Sequence, residues 1–469
     1  MLPIEQKIEP PHALTQPQQK GIWAGNALAA VGLLSLVVAP SISISALSMA
    51  VLISGLALEP SMGLALLGVS LPFYLHPKQF GTMDFSYPEI ILISTLLGTV
   101  LHTAFSLRTG KRGSVAELAT PMDGPIALLL GAALLSLLAS EVLRVSLREL
   151  RTVVLEPVVA YYLTVWLIPS RKQLVRVIAA LLVGGVLVAL FGLYQYLFTD
   201  QVTAVQGVRR IQGPYASPNN LGLYLDRLLP IALALALFLP RATYRTAKLI
   251  SGILMAPIAA ALLLTFSLGS WLASALGVLV VTFLWRMRSG VLLAAVYAAV
   301  TAAGVPLLRL DRISSHFSLT RGTSFIRVQL WESSLHMIRD HPLLGVGMDN
   351  FLYQYRSHYL LPTAAAEPNL SHPHNILLDF WLRLGIAGVA ALIWIAVTLV
   401  QIWRQAWMRS SDPVDRALLA GMAGAAIDLV AHGMVDNSYF LVDLAFQFWL
   451  CVAGAVLIWG RLSPQSRIE

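Results

Sequence analysis

Leu174–Phe198 reads LVRVIAALLVGGVLVALFGLYQYLF, 25 residues with one charge, Arg176. A helix rises about 1.5 Å per residue, so this stretch exceeds the roughly 20 apolar residues that cross a hydrocarbon core. Its apolar residues form a continuous block and not a stripe, which marks a spanning helix and not a surface one. Similar blocks run over 22–38, 41–58, 62–76, 88–106, 126–142, 152–169, 219–239, 249–267, 269–286, 290–308, 375–403, 415–435 and 439–459. The expectation is an all-α polytopic integral membrane protein of about twelve transmembrane helices, within a range of eleven to fourteen. Proline- or glycine-punctuated segments between Pro40 and Pro77, and the pair meeting at Gly269, set that range.

Composition says the same. The 469 residues are 57% hydrophobic and 12% charged, against roughly 25% charged in a soluble domain, so lipid is the solvent. The formal charge of +8 could point to nucleic acid, but its residues sit in short turns between apolar blocks, which makes them topology signals and excludes a nucleic-acid partner. A single cysteine, Cys451, excludes an intrachain disulfide and a cysteine metal cluster.

The basic turns Arg108, Lys111, Arg112; Arg171, Lys172, Arg176; Arg241, Arg245, Lys248; Arg286, Arg288; and Arg404, Arg409, Arg416 alternate onto one side, the cytoplasm by the positive-inside rule. Lys7, Lys20, Arg461 and Arg467 bring both termini there. Arg144, Arg148 and Arg151 fall on the opposite side, against the rule. The expected organisation is a cytoplasmic tail over 1–20, helices over 21–308 with a short outer loop at 199–219, a large outer loop over 309–374, C-terminal helices over 375–460 and a tail over 461–469. Within the large loop, Ser324 to Arg339 is predicted to be an amphipathic helix with Phe325, Val328, Trp331, Leu335 and Ile338 on one face. His341-Pro342 stops it, Gly345-Val-Gly347 turns the chain, and a second helical stretch follows near Phe351 to Tyr359.

Six of the ten histidines lie in or at the end of that loop: His316, His336, His341, His358, His372 and His374. Their spacings lack the paired ligands of a helix-borne zinc site, and no Asp-x-Asp pair occurs, so no metal and no cofactor is expected. Anything that binds a diphosphate here must do so with side-chain cations, and arginine donates paired hydrogen bonds to phosphate oxygens at any pH. Two outer sites qualify. Arg209 and Arg210 precede a compact turn containing Gly213, Pro218 and Asn219, and Arg327 lies four residues before Trp331, on the same helix face. Arg309, Arg312, Arg321, Arg339 and Arg356 read as solvated loop cations, with Arg321 retained as a candidate substrate contact. In Ser371-His372-Pro373-His374-Asn375 the last residues open the span from Ile376. His374 at a helix N-terminus would be kept as a neutral ring able to accept a proton, as a general base requires. Gly385 and Gly388, three apart, read as a close helix contact inside the membrane.

These residues resemble a known family. His374-Asn375, nine residues and then Gly385-x-x-Gly388 is similar to the motif of the O-antigen ligase and polymerase superfamily. Arg210-x-x-Gly213 with Pro218-Asn219 is similar to its earlier outer loop. Arg327-x-x-x-Trp331, followed by His341-Pro-Leu-Leu-Gly345-Val-Gly347-x-x-Asn350-Phe351, is similar to its large periplasmic loop, and His432 and Asp436 match weakly. The chain departs from the family at Ser267-Leu268-Gly269, where Ser-Arg-Gly is common, which places the weight on Arg210 and Arg327.

The resemblance implies a GT-C-like fold in the bacterial inner membrane, with the active site facing the periplasm. It also implies a donor glycan on undecaprenyl diphosphate and, for a ligase, a lipid A core acceptor. His374 would be the general base, with Arg210 and Arg327 clamping the diphosphate in an inverting, metal-independent transfer. Arg209, Asn219, Trp331, His372 and Asn375 would line the substrate site. Polymerases and protein O-oligosaccharyltransferases use the same motifs. A transporter would instead rely on charges at mid-membrane depth, for which Asp226, Asp379, Asp428 and Asp443 are candidates unless they pair with neighbours such as Arg227 and Arg383. None of these motifs encodes an oligomeric state.

Overall fold

The computed structural model describes residues 16–108, 119–200, 202–205, 208–307, 322–365 and 367–463. It is an all-α, multi-pass membrane architecture. Among the described residues, nine helices are long and apolar enough to cross a membrane, and four shorter apolar helices accompany them. Among the described residues, strand pairing is confined to two antiparallel hairpins, Lys78–Phe80 with Met83–Phe85 and Thr203–Val205 with Val208–Arg210.

Val442–Leu462 and Pro218–Phe238 are the most enclosed spans, whereas Gln19–Val38 and Arg241–Leu264 lie at the edge and present leucine and valine outward, as lipid-facing helices do. Helices approach closely where small residues face each other. A Cβ at Gly277 would meet Pro230 and the Gly424 carbonyl, so three helices cross at a point only glycine permits. Aromatic side chains fill the centre: Trp449 packs edge-on against Tyr161 at 5.4 Å between ring centroids and donates to the Tyr439 hydroxyl.

Three expectations change. Gly385 and Gly388 do not mark a contact between two spanning helices. Gly385 has φ +67°, which breaks Ile376–Arg409 into two pieces, and a Cβ there would collide with the Leu343 carbonyl. The loop segment Leu343–Gly347 packs its backbone into that break, with the Val346 amide donating to the Leu382 carbonyl at 2.7 Å. His374 therefore stands at the head of a short buried half-helix.

Arg144, Arg148 and Arg151 do not form a turn. Leu143–Leu167 is one helical run that widens into a π-type turn over Leu150–Leu155. Its charges are taken up locally: Arg148 pairs with Asp349 at 2.9 Å, Arg151 with Glu89 and Glu156, and Glu149 with Arg383 at 2.5 Å. Two of the three arginines are thus ion-paired, which a count of basic residues cannot register.

The loop helix spans Gly322–Asp340, as its pattern suggests, and Ile338 is buried as expected, but the rest of its buried face runs through Leu330, Ser333, Ser334 and Met337. Leu335 is 57% exposed. The two serines satisfy their hydroxyls on the Tyr359 and Leu330 carbonyls, so small polar residues make the contact that the apolar pattern assigned to leucine.

The charged groups at membrane depth are largely paired. Asp379 accepts from Arg383 at 2.7 Å, Asp226 pairs with His432 at 2.6 Å, Asp443 accepts from Tyr215 at 2.7 Å, and Arg227 donates to the Ser438 carbonyl. Arg383 binds Asp379 and Glu149 together with both partners buried. Arg383→Met would strand two carboxylates and is expected to cost about 3–5 kcal/mol. Arg148→Met removes a solvent-exposed pair and is expected to cost about 1 kcal/mol or less. Thermal unfolding of the two variants in the same detergent checks the contrast, and equal destabilisation would contradict it.

Candidate active site

The loop that carries the histidines is held from three directions. The Trp331 indole donates to the Pro373 carbonyl at 3.1 Å, fastening the loop helix to the residue between His372 and His374. Asn375 caps the half-helix, its Oδ1 accepting from the Leu377 and Leu378 amides at 3.0 and 3.2 Å. His374 Nδ1 donates to Asp436 Oδ1 at 2.9 Å, across from the turn between the helices Pro413–Gly433 and Val442–Leu462.

His374 has φ +53°, the left-handed region that non-glycine residues rarely adopt. Such a conformation costs about 1–3 kcal/mol and survives only where its surroundings impose it. Here the Trp331 bond, the asparagine cap and the Asp436 bond impose it. The result is an imidazole whose Nδ1 is occupied by a carboxylate and whose Nε2 is left as the acceptor.

Asp436 is buried, and burial alone would push its carboxyl up. The hydrogen bond from His374, together with the electrostatics of the neighbouring His374, His372 and His432 imidazoles, outweighs it and holds the group well below the usual carboxylate range. Its Oδ1 also accepts from the Asn437 amide at 2.8 Å. His372 stacks edge-on against His374 with centroids 4.1 Å apart, and its Nε2 lies 3.9 Å from Asp436. Burial and the neighbouring His374 lower it to about 3, against a smaller opposing pull from Asp436, so its ring is neutral. Arg327 completes the group. Burial lowers its guanidinium, the Asp436 charge partly offsets this, and among the described residues it makes no hydrogen bond. A guanidinium remains charged under these conditions, so the site holds a cation within electrostatic reach of Asp436.

His372, His374 and Asp436 each place a ligand atom within 4.8 Å of the others. The histidine spacing did not reveal this triplet, because its third member lies 62 residues beyond His374. Its atoms are donor types that zinc accepts. Against that, His374 already spends Nδ1 on the carboxylate, and Arg327 adds positive charge at the same place.

The other sequence candidates fall outside this cluster. Arg210 is clasped by protein, its Nε donating to the Thr265 carbonyl and a terminal nitrogen to Asn219 Oδ1, both at 2.7 Å. It adjoins the turn at Ser267 to Gly269, and a Cβ on Gly269 would meet His432 and Val435. Arg210 thus holds the chain just before a turn that packs on His432 and Val435. Arg209 closes the end of Arg171–Phe198 by donating to the Thr199 carbonyl at 2.9 Å, and its guanidinium lies over Tyr196. Arg321 lies outside the described residues. Asp436 is the group the sequence reading undervalued. The signal was present in a polar His-Gly-Met-Val-Asp-Asn-Ser turn between two apolar blocks, opposite a histidine in need of a partner.

Together these features define a polytopic membrane protein with a hydrogen-bonded histidine–aspartate pair at the head of a broken helix. Residues 253–393 match the family model described as O-Antigen ligase. The segment includes Arg327, His372 and His374. The chain is 29% identical over 142 residues to the O-antigen ligase of Pseudomonas aeruginosa, covering 30% of this chain and 31% of that protein. It thus aligns with about a third of the relative's length. A chain from a solved peptidoglycan synthase complex aligns over 73% of this chain and 98% of its own, at 18% identity and a TM-score of 0.42, a likeness too loose to bear on function.

If Asp436 fixes the ring, Asp436→Asn allows the wrong tautomer and is expected to lower turnover roughly 10²–10⁴-fold while leaving folding intact. Trp331→Phe keeps an aromatic ring and loses one hydrogen bond of about 1 kcal/mol, for an expected drop of several-fold. Steady-state rates on the purified variants check both. Near-normal turnover in Asp436→Asn would remove the dyad from the chemistry.

Proposed function

We propose that this protein transfers a glycan from undecaprenyl diphosphate to a sugar hydroxyl of the lipid A core, at the periplasmic face of a bacterial inner membrane with both termini in the cytoplasm. The observation that carries this reading is the His374–Asp436 dyad with Arg327 beside it. An acceptor hydroxyl needs a base as it attacks, and a departing lipid diphosphate needs a cation. One site offers both.

In this reading His374 Nε2 takes the proton from the attacking hydroxyl. The hydroxyl oxygen forms a bond to the anomeric carbon as the bond from that carbon to the diphosphate oxygen breaks, and a single displacement inverts the centre. Arg327 neutralises the charge gathering on the leaving diphosphate. Arg210, clasped by Asn219 and Thr265, extends the same positive field from the neighbouring turn. His372, neutral and pressed against His374, shapes the pocket around the base, while Trp331 and Asn375 hold its backbone. The energy resides in the diphosphate linkage, so the reaction needs no nucleotide. The match of residues 253–393 to the O-Antigen ligase family model supports the assignment to lipopolysaccharide assembly.

Purified protein, reconstituted with a lipid-diphosphate glycan and lipid A core in the presence of chelator and without nucleotide, is expected to yield glycan attached to core. Arg327→Ala is expected to lower the rate roughly 10²–10³-fold. Abolition of transfer by chelator would assign His372, His374 and Asp436 to a metal. Glycan chain growth without core modification would make the protein a polymerase.

A further inference from the structure

A cavity of about 490 Å³ lies on the same face, beneath the loop segment at Asp349 and beside Phe440. Its volume falls within the usual range for a small-molecule site. It is bounded by the Leu143–Leu167 helix where that helix widens, and π-type turns are found frequently at functional sites. Asp349, on its wall, has φ +53°, a second non-glycine residue held in the left-handed region.

The chemistry of the lining is specific. Two arginines, Arg148 and Arg151, face four carboxylates, Asp84, Glu89, Glu149 and Asp349. The excess of negative charge argues against a diphosphate or any other polyanion. Glu149 is the decisive group. Its side chain is 7% exposed, its Oε1 is held by Arg383, and its Oε2 has no hydrogen-bond partner although it is buried. A buried carboxylate oxygen without a donor costs free energy, and Glu149 carries one at the wall of this cavity. Tyr74 and Phe440 supply aromatic surface on the same walls.

Carboxylates that accept, guanidinia that donate and rings that offer an apolar face form the set that meets a sugar, whose hydroxyls both donate and accept and whose C–H faces are apolar. Phe440 also ties the cavity to the dyad. The Arg383 guanidinium lies 4.7 Å over its ring, and it follows Asp436 by four residues, at most about 14 Å of extended chain. That is a distance a short oligosaccharide covers.

We propose that this cavity is a subsite for an uncharged sugar unit of one of the two glycans, set back from the reacting centre and fixing which residue of the chain reaches His374. The inference rests on the glycan-transfer reading, and the two can fail separately. The same sugar chemistry could belong to the donor glycan or to the acceptor core, and the test has an arm for each.

The experiment measures binding and not turnover. The full chain in nanodiscs is titrated with lipid-free O-antigen oligosaccharide and, separately, with dephosphorylated core oligosaccharide freed from lipid A, with saturation-transfer NMR as the readout. The comparison is with Arg148→Gln and Asp84→Asn, both at exposed rim positions. One oligosaccharide is expected to bind the wild type and to weaken about tenfold in each variant, the size of a lost hydrogen bond to a charged group. Loss confined to the core assigns the cavity to the acceptor, and loss confined to the O-antigen assigns it to the donor. Equal binding by wild type and variants, or no binding by wild type, would overturn the subsite. Transfer measured on the same wild-type preparation tests the parent reading independently, because a protein that transfers glycan with an indifferent cavity refutes only the subsite.

Discussion

Asp436 Oδ1 accepts a hydrogen bond from His374 Nδ1 in a place where water is scarce, and several otherwise costly features depend on that contact. A carboxylate so deep is tolerable only with donors around it, and His374 and the Asn437 amide supply them. In return it fixes the ring of a residue whose backbone is itself in a disfavoured conformation. It also joins the start of the half-helix at Ile376 to the turn between the last two helices. Function and architecture thus share one hydrogen bond.

The surrounding architecture keeps that contact in place. The break at Gly385 lets Leu343–Gly347 dock by its backbone, with the Trp381 indole donating to the Pro342 carbonyl at 2.9 Å on the same side. Asn350 ties the end of that segment to the neighbouring helix, accepting from the Val142 amide at 2.8 Å and donating to Ser146 at 2.6 Å. Glycines and an asparagine that look like a family signature in the sequence act here through backbone geometry. They let a long loop lie firmly over the mouth of the bundle, where Arg327 and Trp331 meet the histidines.

What the sequence discloses and what it conceals follow from how far each interaction reaches. Spanning helices are visible because hydropathy is a local property. The cap at Asn375 and the stop at His341-Pro342 are equally local, and both are where the pattern puts them. The fate of Arg148, Arg151 and Glu149 was hidden, since their partners Asp349, Glu89 and Arg383 lie far along the chain. The break at Gly385 was hidden for a related reason: a pair of glycines three apart is as compatible with two helices touching as with one helix opening. For the site itself, the motif gave His374 and Arg327, while Asp436 needed the fold to bring it within 2.9 Å of the ring.

The central claim is that His374 presents an unprotonated Nε2 to the acceptor because Asp436 holds the proton on Nδ1. Nitrogen NMR of protein carrying isotope-labelled histidine, assigned by loss of the signal in His374→Gln, reads that tautomer directly. The account predicts a protonated Nδ1 and a free Nε2 lone pair for His374, with the preference lost in Asp436→Asn. A proton on Nε2, or a ring nitrogen shifted by bound metal, would contradict it.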